Sequence, residues 1–119
     1  MKILIDTHIF LWFITGDCAL SNDKKQLIKA ADQVFVSMVS LWECAIKISL
    51  KKLDFDLETL FNAIKASDFE ILHMQFRHLL EVERLPFLHR DPFDRMLIAQ
   101  AKSEPLILVT DDQHIQGYF

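Results

Sequence analysis

The sequence is poor in the residues that bend or cross-link a chain. Its 119 residues include only two Gly, three Pro and two Cys. So few turn-forming residues argue against an all-β sandwich, in which many short strands are joined by tight turns. Cys18 and Cys44 form no Cys-x-x-Cys motif, and two thiols alone cannot complete a four-ligand zinc site. We therefore expect no disulfide framework and a reducing, intracellular setting.

Long apolar runs and an excess of basic residues are also absent. The longest apolar stretch, residues 9–14, is far shorter than the ~20 residues of a membrane-spanning helix. The first residues do not have the basic, cleavable pattern of a secretory leader. These features predict a soluble cytoplasmic protein with no membrane partner. Because the net charge is −4, any contact with nucleic acid has to be local or mediated by bound cations.

The sequence is instead rich in core-forming residues. Hydrophobic residues make up 51% of the chain, and ten of them are Phe, which excludes a disordered chain. The length is that of one ordinary domain, usually ~100–150 residues. We therefore expect a single domain over residues 1–119.

Short apolar segments alternate with segments of helical periodicity. Uniformly apolar strands that are separated by helices form a parallel sheet covered on both faces. We therefore predict a three-layer α/β/α domain with a mostly parallel sheet of four or five short strands. The predicted strands are 2–5, 34–36, 69–72 and 106–109, and the predicted helices are 7–14, 21–31, 40–50, 57–66 (capped by Asp56), 75–83 and 92–102.

Several acidic residues fall where ligands bind in such a sheet, beyond the carboxyl ends of the strands. Asp6 directly follows the first strand, and Asp111 and Asp112 follow the fourth. Glu43 lies in the first turns of the helix after the second strand. Asp94 lies at the start of the helix that returns to the fourth strand. The topology therefore predicts that acids from four distant segments meet along one edge.

Each of these acids also fits a simpler role as a helix cap. Asp6 precedes a helix, Ser40 and Glu43 have the spacing of a capping box, and Asp94 falls in a first turn, where negative charge is favoured. Asp112 can cap a short terminal helix. For any one acid the cap interpretation is favoured, since a good cap is worth ~1 kcal/mol. Their grouping at one edge weakens that interpretation for the set.

A hard divalent cation would resolve the repulsion between clustered carboxylates. Mg²⁺ takes oxygen ligands, commonly one or two carboxylates together with waters and phosphates, and Mn²⁺ accepts the same ligands. Such a cation can lower the pKa of a bound water and stabilise charge on a phosphodiester. It would also explain how an acidic protein binds RNA or DNA.

Four segments in order resemble the PIN domain, and more narrowly the VapC family of bacterial toxin ribonucleases. They are residues 3–8 (ILIDTH), 39–43 (VSLWE), 89–101 (HRDPFDRMLIAQA) and 108–112 (LVTDD). One segment alone is a weak signal, but all four in order are a strong one. The resemblance covers essentially the whole chain.

The resemblance implies a metal-dependent endoribonuclease. By similarity Asp6, Glu43, Asp94 and Asp112 bind Mg²⁺ or Mn²⁺, directly or through water, and activate water for RNA cleavage. Thr7 and Thr110 would help through hydroxyl hydrogen bonds to the site or the substrate. The partners implied are an RNA substrate, an antitoxin protein encoded alongside that blocks the site, and a second copy of the chain in a homodimer.

Two basic residues are further candidates for substrate binding. Arg95 can contact phosphate or the acids, and a solvated or capping role is equally consistent with its position. Lys47 follows Glu43 by four residues, which fits an ordinary helical ion pair or a phosphate contact. We assign no chemistry to His89, although it lies in a matching segment. Three further histidines are expected at the surface or its boundary: His73, His78 and His114.

Several large apolar residues adjoin the acids. Leu11, Trp12 and Phe13 are too apolar in a row for one helix face, so some are expected in the core and the others on a dimer or antitoxin surface. Trp42 is expected to be packed, or else to form a wall of the active-site groove.

The resemblance has one departure. PIN domains usually carry a short fifth strand after the last acid, whereas this sequence has only the residues up to Phe119. The final strand is therefore expected to be absent or very short.

Two other functions remain open. The first is a catalytically silent PIN module that binds RNA or a partner through the same groove; the presence of all four acids argues against it. The second is phosphoryl chemistry of the receiver or aspartyl-phosphate hydrolase type. The hydrolases require Asp-x-Asp after the first strand, where this sequence has Asp6-Thr7-His8.

Overall fold

A parallel four-stranded sheet organises the computed structural model, which describes residues 1–119. The strands run in the order β3-β2-β1-β4, and every neighbouring pair is parallel. The strands are β1 (Lys2–Ile5), β2 (Gln33–Ser37), β3 (Glu70–Leu72) and β4 (Ile107–Val109). The helices are α1 (Thr7–Thr15), α2 (Asn22–Ala30), α3 (Met38–Ser49), α4 (Leu57–Ala66), α5 (Phe76–Arg84), α6 (Pro92–Ser103) and α7 (Gln113–Gln116).

Alternation of side chains along the strands creates two apolar faces. Ile3 and Ile5 of β1 face one way, into the largest core cluster, which includes buried residues of α1, α3 and α4. Leu4 faces the other way and packs with Leu97 and Ala101 of α6. Both faces of the sheet are therefore covered by helices, and the predicted three-layer α/β/α architecture is confirmed.

The sheet ends at β4. The chain continues from β4 into α7 rather than into another strand, so the sheet has four strands and β4 is an edge strand. Ile107 on that edge is exposed. Ile115 and Tyr118, in and just after α7, pack with Ile98 and Ala99 of α6 in a separate small cluster.

Most predicted elements are present, but the start of α3 was wrong. The helix begins at Met38 rather than Ser40, because the Ser37 hydroxyl caps it by accepting from the Val39 amide (3.1 Å). Ser40 and Glu43 therefore do not form a capping box, and both side chains are buried. At α4, Asp56 occupies the N-cap position without a side-chain cap hydrogen bond.

The longest helices, α3 and α6, have 12 residues each. None of the helices combines the length and the apolar character that a membrane crossing requires.

A buried polar network joins the sheet to α5 and α6. The Ser37 hydroxyl donates to Gln100 Oε1 (2.6 Å), and Gln100 Nε2 lies 3.4 Å from Nδ1 of His78. On its other side His78 Nε2 lies 2.7 Å from Glu104 Oε2, which also accepts from Arg77 Nε (2.7 Å). The surface or boundary position expected for His78 was wrong, because these polar partners allow its ring to be fully buried. Because buried polar groups are costly when unpaired, this network fixes how α5 lies against α6.

We expect Glu104→Ala to destabilise the fold by about 1–3 kcal/mol near neutral pH, because it leaves the buried ring of His78 without its acceptor. Burial raises the pKa of Glu104, but hydrogen bonds from His78 and Arg77 outweigh that effect and hold the pKa below its ordinary value. Ionised Glu104 therefore stabilises the folded state at neutral pH, and its contribution is lost as the pH falls through the folded-state pKa.

Urea unfolding of the wild type and of Glu104→Ala, from neutral pH down to below about pH 4, measures the difference between their free energies of unfolding. It should shrink below about pH 4. The matched control is Glu83→Ala on the exposed side of α5, which should change the free energy of unfolding by less than about 0.5 kcal/mol. Equal effects of the two substitutions would contradict the role assigned to Glu104.

Candidate active site

Asp6 lies where β1 passes into α1, and it is almost completely buried. Its backbone amide donates to the Val109 carbonyl (3.2 Å), which fixes it beside the end of β4. Its Oδ1 accepts from the Ile9 amide (2.9 Å), so Asp6 is the cap of α1. A hydrogen bond from the Thr110 hydroxyl adds a second tie to the β4 side.

Asp94 and Asp112 meet across the ring of His89. His89 Nε2 lies 2.8 Å from Asp94 Oδ2 and 3.7 Å from Asp112 Oδ2. One ligand atom from each of the three side chains lies within 4.8 Å of the others, which is close enough for a shared metal ion. Asp6 and Glu43 lie outside this tight group. Asp94 and Asp112 are therefore the two acids that share this group with His89.

His114 extends this group on the solvent side. Its ring stacks on that of His89, with centroids 5.5 Å apart and planes 16° apart, and its Nδ1 lies 3.2 Å from Asp112 Oδ1. The same Oδ1 accepts from the His114 amide (2.9 Å) and so caps α7. Asp112 therefore caps a helix with one carboxylate oxygen and turns the other toward His89.

Glu43 is held at the same edge from α3. Its Oε1 accepts from the Thr7 hydroxyl (2.8 Å), which also lies 2.9 Å from Ser40 Oγ. Its Oε2 pairs with Lys47 Nζ (3.1 Å), one helical turn further on. Because Thr7 is the residue after Asp6, this hydrogen bond joins the Glu43 and Asp6 segments directly.

A shallow cavity of about 260 Å³ opens onto these acids. Asp6, Asp111 and Asp112 line it together with His8 and Trp12. Asp111 is paired with Lys24 of α2, whereas Asp112 faces the His89 group. Their different neighbours favour Asp112 over Asp111 as the functional acid.

Burial and mutual repulsion make the carboxylates of this edge harder to ionise. Burial, with the nearby charges of Asp91 and Glu43, raises the pKa of Asp94 to about 6 despite its hydrogen bond with His89. Burial also raises the pKa of Asp6, and the charge of Asp111 adds to the effect, while hydrogen bonds from Thr110 and Ile9 oppose it. Carboxylates that resist ionisation in this way are stabilised by a nearby cation.

The guanidinium of Arg95 is engaged away from the acids. Its Nη1 donates to the carbonyl of Pro86 (3.1 Å), more distantly to that of His89 (3.4 Å), and to the Tyr118 hydroxyl (3.1 Å). Tyr118 Oη in turn accepts from the amides of Leu88 and His89, both at 2.9 Å. Arg95 and Tyr118 therefore hold the loop that carries His89, and a phosphate contact by Arg95 stays a prediction.

The apolar neighbours of the site differ from expectation in part. Leu11, Trp12 and Phe13 are all partly buried against the main core. Trp42 is not packed, since 57% of it is exposed. Its ring makes an edge contact with Phe93 at the start of α6 (5.0 Å between centroids).

The family model described as PIN domain matches residues 3–118 of this chain. The chain belongs to the PIN domain family. PIN domains are generally nucleases that use a divalent metal. No curated protein matches the sequence.

Solved structures with the same fold include chains of two toxin–antitoxin complexes. The VapBC2 complex of Rickettsia felis, bound to a DNA fragment from its promoter, contains a chain with a TM-score of 0.74 at 19% identity. The alignment covers 99% of the present PIN domain and 93% of that chain. A toxin–antitoxin complex from Klebsiella pneumoniae gives a TM-score of 0.63 at 18% identity, with 92% and 86% covered. At such identities the likeness concerns the fold.

The histidines are the part of the site that the sequence did not reveal. His89 precedes Asp94 by five residues and follows no familiar metal-ligand spacing, and it reaches the acid because the loop before α6 folds back. His114 adjoins its partner Asp112 in sequence, two residues away. The two-residue spacing of Asp112 and His114 is the only local sequence signal for the histidines of this site. A helix cap at Asp112 explains that spacing equally well.

We expect Mg²⁺ or Mn²⁺ to raise the melting temperature of this PIN domain, because a cation that binds the folded edge relieves its repulsion. Asp94→Asn removes a carboxylate that is costly to ionise, with little change in volume. In EDTA its melting temperature should therefore equal or exceed that of the wild type. The rise in melting temperature that the metal causes in the wild type should be largely lost in Asp94→Asn.

Thermal unfolding followed by circular dichroism measures both effects. Asp68→Asn is the matched control, because Asp68 is an exposed acid near the amino ends of the strands and its left-handed backbone (φ 61°) tolerates Asn. That variant should show the wild-type response to metal. An unchanged wild-type melting temperature at millimolar metal would contradict a preformed cation site.

Proposed function

We propose that this PIN domain is a metal-dependent endoribonuclease, the VapC-like toxin of a type II toxin–antitoxin pair. The observation that carries the proposal is the meeting of Asp6, Asp94 and Asp112 at one sheet edge, from three segments far apart in sequence. The likeness in fold to chains of two toxin–antitoxin complexes supports the toxin assignment.

The donor set fits a hard divalent cation such as Mg²⁺ or Mn²⁺. Asp94 and Asp112 would hold the ion most closely, with Asp6 and Glu43 contributing directly or through water. When bound, the ion would lower the pKa of water and stabilise charge on the phosphodiester. Burial is the largest cause of the raised pKa of Asp94 and of Asp6, so a nearby cation would favour the ionised form of both carboxylates.

The main role of the remaining polar residues is to position the acids, and a contact with the substrate is secondary. The Thr7 hydroxyl orients Glu43, and the Thr110 hydroxyl orients Asp6 while it also accepts from the Asp112 amide (3.0 Å). Lys47 offsets the charge of Glu43 and remains partly exposed, so it can also face a phosphate. We propose these three as supporting residues of the site.

An apolar surface around Trp42 fits an antitoxin partner. A groove of about 360 Å³ between α3 and α4 is lined by Leu41, Trp42, Leu57 and Phe61 among others. Trp42 also borders a second groove toward α5, with Leu79 and Phe87. Contiguous apolar surface of this kind marks interaction sites. The homodimer stays a prediction, which sedimentation of the purified protein tests.

Asp6→Asn and Asp94→Asn should each lower RNA cleavage by at least about a hundredfold, because each removes a carboxylate that a metal needs as a ligand. Purified proteins are incubated with mixed cellular RNA in Mn²⁺ and again in EDTA, and the products are separated on gels. Asp68→Asn should cleave as the wild type does. Undiminished cleavage by either site variant, or cleavage by the wild type in EDTA, would refute the assignment.

The partner proposal predicts that Trp42→Ala weakens the complex with the product of an adjacent small reading frame. Removing the exposed ring takes away the largest apolar contact shared by the two grooves. Co-expression and co-purification measure the yield of complex. The control is Ile107→Ala on the edge of β4, which should leave the yield unchanged; equal yields for both variants would contradict the surface assignment.

A further inference from the structure

A further groove, distinct from the two grooves around Trp42, adjoins the acidic cavity on the side of α1 and α3. It has a volume of about 440 Å³, within the ~300–1,000 Å³ range of small-molecule sites. His8 and Trp12 line both the groove and the acidic cavity, so the two are continuous. We call this the lysine groove, after Lys47 and Lys52 in its lining.

The charge of the lysine groove is opposite to that of the acidic cavity. Lys47 reaches it from α3, and Lys52 follows the end of that helix, where its amide donates to the Lys47 carbonyl (2.8 Å). The one carboxylate in the lining, Asp17, is engaged with the Ala19 amide (2.9 Å). Lys47 Nζ also pairs with Glu43 (3.1 Å), so Lys52, which makes no ion pair, is the main cation of a local site for phosphate in a chain whose net charge is −4.

The groove also offers flat rings beside these charges. Trp12 and His8 lie 6.0 Å apart between centroids, with planes 45° apart, and Phe55 also lines the groove. His8 is exposed and Trp12 is partly exposed. Aromatic faces interleaved with lysines are the combination by which proteins bind single-stranded nucleic acid, since rings stack on bases and cations contact the backbone.

We propose that the lysine groove is a subsite for single-stranded RNA, which holds a nucleotide next to the bond cleaved at the acidic edge. The proposal rests on the ribonuclease function proposed above and extends it to a place and a mode of substrate binding. Lys52 would contact a backbone phosphate, and the Trp12 ring would stack on a base. Lys47 links the two regions, because it also pairs with Glu43.

The test is RNA binding by Lys52→Ala, with Lys29→Ala as the matched control. Lys29 is an exposed lysine of α2 that lines a different cavity, near the amino end of β2. A fluorescein-labelled single-stranded RNA of about 8 nucleotides is titrated in Ca²⁺, and anisotropy gives Kd over a range of salt. Lys52→Ala should weaken binding about five- to tenfold and reduce the slope of log Kd against log salt by about 0.7.

Cleavage kinetics in Mn²⁺ give a second readout. Lys52→Ala should raise KM by a similar factor and leave kcat unchanged, because the contact is made equally in the bound and reacting states. Trp12→Leu should weaken binding about tenfold or more through lost stacking. Lys52 is exposed, so its variant tests the groove even if Trp12→Leu fails to fold.

The outcomes separate the subsite from the ribonuclease function. If the wild type binds and cleaves RNA but Lys52→Ala and Lys29→Ala behave alike in Kd and salt slope, the subsite is refuted and the ribonuclease proposal stands. If the wild type neither binds RNA in Ca²⁺ nor cleaves it in Mn²⁺, both proposals fall.

Discussion

The constraint behind the whole site is the parallel register of β1 with both of its neighbours. Ile5 is level with Val36 of β2 and with Val109 of β4, so β1 and β4 end at the same height and β2 ends one residue later. The residues that follow must then share one edge, whatever their distance in sequence. Ile3 and Ile5 pack into one core cluster and Leu4 into another, so a one-residue slip of β1 would exchange these side chains between the two faces. Core packing therefore also fixes the distances between the carboxylates.

Helix capping and cation binding act together here rather than as alternatives. A carboxylate has two oxygens, and Asp112 uses one to cap α7 while the other faces His89 and Asp94. Asp6 likewise caps α1 through Oδ1. Caps hold these side chains in single orientations, so the ordering cost of a metal site is already met by folding. The remaining cost is electrostatic, and it is concentrated at Asp94, whose burial opposes ionisation.

The sequence predicted what depends on periodicity and topology, and missed what depends on loop packing. Four apolar strands and the order of the elements were enough to place Asp6, Glu43, Asp94 and Asp112 at one edge. The start of α3 was wrong because Ser37 and Ser40 are equally good caps, and only burial of Ser40 against Thr7 decides between them. His89 and the structural role of Arg95 depend on the loop before α6, whose path is set by Tyr118 from the far end of the chain.

The distribution of charge bears on how an acidic chain can hold RNA. Exposed charges are screened beyond about 8–10 Å at ordinary salt, so net charge matters less than the nearest few groups. Lys47 lies at the boundary between the acidic edge and the lysine groove, because it pairs with Glu43 and also lines the groove. A bound cation would remove the repulsion at the acidic edge, and the lysines would then attract the adjoining phosphate without opposition. Metal binding and RNA binding should therefore be coupled, each favouring the other through the same short-range charges.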